Sequence, residues 1–69
     1  MPNAWIEQIF DARIVLEGGT VRRYVGDVVK YGGGVDQLLE AAEKRGFHVV
    51  QIGDQLVVLC NKGDIKLLR

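Results

Sequence analysis

The stretch Phe47-His48-Val49-Val50-Gln51-Ile52-Gly53-Asp54-Gln55-Leu56-Val57-Val58-Leu59-Cys60 decides the fold. Two runs rich in Val, Ile and Leu flank Gly53-Asp54, a pair that suits a two-residue turn. The spacing predicts an antiparallel hairpin of Phe47 to Ile52 with Gln55 to Cys60. Side chains alternate across a strand, so such a turn fixes which residues share a face. One face carries Phe47, Val49, Gln51, Leu56, Val58 and Cys60; the other carries His48, Val50, Ile52, Gln55, Val57 and Leu59. Both are largely apolar. A sheet with one side in water would alternate apolar and polar, so both faces of this hairpin need a cover.

Upstream, Val35-Asp36-Gln37-Leu38-Leu39-Glu40-Ala41-Ala42-Glu43-Lys44-Arg45 reads as an amphipathic helix with Val35, Leu38, Leu39 and Ala42 on its apolar stripe. Asp36 and Lys44-Arg45 complement its dipole, Glu40 and Lys44 are spaced as an i,i+4 pair, and Gly46 stops it. Trp5, Ile6, Ile9 and Phe10 predict a short helix in the first ten residues behind an Asn3 cap. Arg13 to Glu17 and Thr20 to Val25 read as two strands joined at Gly18-Gly19. Gly26 to Tyr31 reads as a helical turn capped by Asp27, and Ile65-Lys66-Leu67-Leu68 as a further edge strand.

The expected architecture is a single α+β domain over residues 1–69. A small antiparallel sheet of two hairpins, in the order ββαββ with a fifth edge strand, packs on one main helix. That helix covers one sheet face only. The second cover is either the N-terminal segment with Trp5 and Phe10 or another copy of the chain, and a homodimer is expected. The partner face would be His48, Val50, Ile52, Val57 and Leu59.

Composition narrows the function classes. The 69 residues hold nine Lys+Arg and nine Asp+Glu, and the balance holds in each half, so charge points to neither nucleic acid nor an anionic membrane. Cys60 is the only cysteine, which fits a reducing, cytoplasmic compartment. No signal peptide or membrane anchor is expected, because the longest apolar run, Leu56 to Cys60, is too short to span a bilayer.

His48 and Cys60 fall on opposite faces of the hairpin, so they do not form a nucleophile–base pair. No Cys/His cluster has zinc spacing, and neither metal nor cofactor is expected. Gly32-Gly33-Gly34 before a helix lacks the Gly-Lys-Ser/Thr of a phosphate loop and reads as a connector. Arg22, Arg23 and Tyr24, with Lys30 nearby, supply phosphate-pairing and base-stacking groups, so a small RNA- or DNA-binding domain is the alternative function. The leading expectation is a non-enzymatic interaction or accessory module with a protein partner. An enzyme built from two copies of His48 at a dimer interface is the third reading.

At Ile9-Phe10-Asp11-Ala12-Arg13, Gly18-Gly19, Val21-Arg22-Arg23, Arg45-Gly46-Phe47-His48 and Gly53-Asp54-Gln55 through Cys60-Asn61, the chain resembles a group of short uncharacterised bacterial proteins. Some of these are labelled N-(5'-phosphoribosyl)anthranilate isomerase. The enzyme of that name is a (β/α)₈ barrel, which needs on the order of 200 or more residues, so the resemblance implies no such activity here. The run from Leu38-Leu39 through Arg45-Gly46-Phe47 and the hairpin is also similar to the HicA-type toxins, small ribonucleases that use a histidine just after the turn. This chain has Asp54-Gln55 there, so the similarity implies a related shape and not the activity.

Overall fold

The computed structural model describes residues 3–69, an α+β fold of four helices and a three-stranded antiparallel sheet. Met1 and Pro2, ahead of the Asn3 cap expected for the N-terminal helix, lie outside the described residues. The elements are α1 (Ala4–Phe10), α2 (Arg13–Leu16), β1 (Thr20–Tyr24), α3 (Val25–Gly32), α4 (Val35–Lys44), β2 (His48–Ile52) and β3 (Gln55–Leu59). The sheet order is β1-β3-β2.

The second hairpin forms in the expected register, with Val49 opposite Val58, Val50 opposite Val57 and Ile52 opposite Gln55. The first hairpin does not form. Thr20–Tyr24 pairs instead with β3, Val21 opposite Val58 and Arg23 opposite Leu56. Arg13–Leu16 is a helical turn that buries Val15 and carries an i,i+4 pair from Arg13 Nε to Glu17 Oε1 at 3.2 Å. A four-residue apolar run has no period that separates strand from helix, and the long-range partner of β1 decides the outcome. Gly18, with φ of 77°, ends that helical turn rather than turning a hairpin.

Residues 65–68 form no strand and leave Leu67 89% and Leu68 91% exposed. The segment after Tyr24 is a full helix beginning at Val25. Asp27 therefore sits in its first turn near the positive end of the dipole and is not the cap.

Four helices on one side of the sheet bury a common core. Ile6, Ile9 and Phe10 of α1, Val28 of α3, and Leu38, Ala41 and Ala42 of α4 meet Val21, Leu56 and Val58 of the sheet and Cys60 just beyond it. Asn3 fixes α1: its Oδ1 accepts from the N–H groups of Trp5 and Ile6, and its Nδ2 donates to the Tyr31 carbonyl at 3.1 Å. Arg45 closes the other end. Its guanidinium donates to Ala41 O at 2.9 Å and to Glu7 Oε2 at 3.0 Å, and lies 4.3 Å from the centre of the Phe10 ring. The α3–α4 turn requires glycine, because Gly33 and Gly34 take φ of 79° and 121°.

Leu39, expected on the apolar stripe of α4, is 42% exposed, and the stripe runs instead through Leu38, Ala41 and Ala42. The contrast between these neighbours gives a direct check of the core. Leu38→Ala is expected to lower the unfolding free energy by about 2–5 kcal/mol. Leu39→Ala is expected to change it by under about 0.5 kcal/mol in the same urea titration.

Candidate functional site

With α1, α3 and α4 packed on the Val49–Val58 side, the other sheet face has no helix over it. This corrects the alternative in which the N-terminal segment covers that face: Ile6, Ile9 and Phe10 join the same core as Val58.

The outer face is larger than the hairpin alone provides, because the β1 register adds Thr20, Arg22 and Tyr24 to it. Three cross-sheet rows result. Thr20, Leu59 and His48 form one end, Arg22, Val57 and Val50 the middle, and Tyr24, Gln55 and Ile52 the turn end. Val50, Val57 and Leu59 are half-buried by their neighbours, whereas Ile52 is 67% and Tyr24 56% exposed. The face therefore has an apolar centre and a polar and aromatic rim.

His48 sits at one end of this face, where its Nε2 donates to the Gly63 carbonyl at 2.7 Å. That bond ties the C-terminal segment to the sheet. Asp64, Ile65 and Lys66 line a recess over Thr20, His48 and Leu59. Sequence reasoning missed both this tie and the contribution of β1, since each depends on pairing between distant residues that no local pattern encodes.

The basic candidates fall on two elements. Arg22, Arg23 and Tyr24 gather with Gln55 around a recess of about 350 Å³. Arg23 pairs with Leu56 on the inner register, and its Nη1 donates back to the Arg22 carbonyl at 2.7 Å. Lys30 lies on α3 with its ammonium 5.2 Å from the Tyr31 ring centre. Helices α3 and α4, joined by a glycine turn and followed by a hairpin, have the order of a helix-turn-helix unit, whose second helix enters the DNA major groove. Here α4 exposes Asp36, Glu40 and Glu43 against Lys44 alone. Those carboxylates would face the phosphates.

Comparison with family models, with curated proteins and with solved structures yields no match. The reading of the site therefore rests on its own chemistry. Among the described residues no group of three or more His, Cys, Asp or Glu side chains is placed to hold a metal ion. Among those same residues no helix is long and apolar enough to cross a membrane. Between α1 and α4 a recess of about 360 Å³ is lined by charged groups that pair with one another, Glu7 with Arg45 and Glu40 with Lys44.

Cys60 is 4% exposed on the inner side, and burial pushes its thiol pKa up. Less thiolate forms at neutral pH, so the group is chemically quiet and lies across the sheet from His48. The folded chain is expected to react with a thiol reagent at pH 7 at least about tenfold more slowly than the urea-unfolded chain, measured by the absorbance of the released chromophore.

Proposed function

We propose that this chain is a non-enzymatic interaction module that self-associates through the outer face of its sheet. One observation carries the reading: four helices pack on one side, and the centre of the other side, Val50, Val57 and Leu59 with Ile52 at its edge, is apolar and bare of any helix. A small domain gains more from burying such a face against a second copy than from leaving it in water. A face-to-face contact of this kind is isologous, each copy offering the same patch, so it closes as a dimer.

The charge distribution favours this reading over nucleic acid. The acidic exposed side of α4 and the placing of Lys30 on a different element from Arg22 and Arg23 weigh against a continuous basic stripe that follows a phosphate backbone. An enzyme reading has less support, because the buried Cys60 thiol and the His48 imidazole lie on opposite sides of the sheet.

Light scattering over a concentration series is the test. The wild-type chain is expected at twice its 7.7 kDa mass. Val57→Arg, which points away from the core, is expected to keep the fold and weaken association by at least about 100-fold, since it leaves a buried charge unpaired. A chain that stays monomeric throughout, and binds mixed oligonucleotides at low salt with affinity falling steeply as salt rises, would overturn the proposal in favour of the nucleic-acid reading.

A further inference from the structure

The two edges of the sheet are not equivalent. The Cys60 N–H donates to Gly19 O at 3.1 Å and the Asp54 carbonyl accepts from Val25 N–H at 2.8 Å, so those groups of β3 and its flanks point toward β1. By the two-residue alternation of an antiparallel ladder, Leu56 and Val58 also bond to β1, and Gln55, Val57 and Leu59 bond to β2. On β2, therefore, His48, Val50 and Ile52 are bonded inward while the backbone groups of Val49 and Gln51 face the free edge. Among the described residues they have no backbone partner outside the strand ladder. On β1 the free edge falls at Thr20, Arg22 and Tyr24, and there the Arg23 guanidinium occupies the Arg22 carbonyl. A basic side chain folded over an edge is a way of blocking strand addition. The β2 edge has no such cap.

The C-terminal segment is tied to its own sheet at Gly63 and pairs with no strand among the described residues. The His48–Gly63 bond holds Gly63 on the outer side of the sheet, beside the start of β2, and Ile65 begins over the Thr20 and Leu59 end of the outer face. Beyond it Leu67 and Leu68 are the most exposed large apolar side chains described, at 89% and 91%. The segment thus leaves its own sheet on the side where a second copy would sit. The four residues 61–64 that lead from Cys60 into this segment span about 14 Å when extended, enough to cross the roughly 10 Å between packed sheets.

Area points to the same occupant. Three five-residue strands about 4.8 Å apart cover a footprint of roughly 14 by 17 Å, and even with side-chain relief this falls short of the roughly 800 Å² that each partner of a stable complex buries. The outer face alone makes a small interface, and residues 65–68, which begin beside it at Ile65, add apolar surface that extends it.

We propose that in the dimer residues 65–68 of each copy add as a fourth strand to the β2 edge of the other, pairing with the backbone of Val49 and Gln51. This rests on the self-association reading above and adds to it the exchange of an arm. Each interface is then incomplete without the other copy's C-terminal segment. Main-chain bonds along the edge supply affinity, and Ile65 and Leu67, on one side of the added strand, supply specificity.

The test uses the 69-residue chain, wild type and Leu67→Pro, with amide hydrogen exchange read residue by residue and association read by light scattering. In the wild type the Val49 and Gln51 amides are expected to gain at least about tenfold protection as concentration is raised into the dimer range. Leu67→Pro, which bends the added strand and removes a ladder donor, is expected to abolish that gain and weaken association at least about tenfold, with the monomer's unfolding curve unchanged. Equal protection in dilute and concentrated samples would mean that the segment pairs within its own chain and would overturn the exchange. Undiminished association of Leu67→Pro, with Val57→Arg still dissociating the dimer, would overturn the arm and leave the face reading standing. A wild-type chain that never associates would remove both.

Discussion

Everything in this fold depends on β3 lying between two antiparallel neighbours in a register that stacks Val21, Val58 and Val49 in one row. Val58 is 1% exposed and Val21 5%, and Leu38 and Val28, both fully buried, join the core that closes over them. Because side chains alternate along every strand, a register that sends this row inward sends Arg22, Val57 and Val50 outward together. A one-residue shift of β2 against β3 would place His48 and Val50 in the core and expose Val49. Core and candidate interface are thus set by the same choice.

The helices follow from that choice. With the valine row inward, the apolar sides of α1, α3 and α4 have one place to go, and Arg45 fastens the arrangement by bonding the end of α4 to Glu7 while its guanidinium packs on Phe10. The contact is partly open to solvent, so its electrostatic share is modest and its packing on the ring matters as much. All helical cover is spent on the inner side. What remains is an apolar sheet face with two edges, one capped by Arg23 and one open along β2.

Much of this was legible in the sequence where signals were local. The Gly53-Asp54 turn fixed the pairing of His48 through Leu59, Asn3 marked the start of α1, and Gly46 marked the end of α4. The failures came where two structures share one local pattern. Arg13 to Leu16 is apolar enough for a strand, yet its Arg13–Glu17 spacing is helical, and only the competition for the β1 edge of β3 decides between them. Leu39 fits the helical stripe by periodicity, but α4 presents Ala41 to the core in its place. At the candidate site the hairpin half was readable from alternation. The β1 half, with Arg22 and Tyr24, was not, because contact between residues some thirty-five positions apart leaves no period behind.

The central claim is that the Val50, Val57 and Leu59 face is covered in solution by a second copy. Methyl relaxation of the wild-type chain in the presence of a soluble paramagnetic agent reads that cover directly. At concentrations where the chain associates, the methyls of Val50, Val57 and Leu59 should be as shielded as those of Val58, while Leu16 on α2 relaxes as a surface residue and dilution restores relaxation to the three. If they relax as surface methyls at every concentration while Val58 stays shielded, the sheet has a wet outer face and the account is wrong.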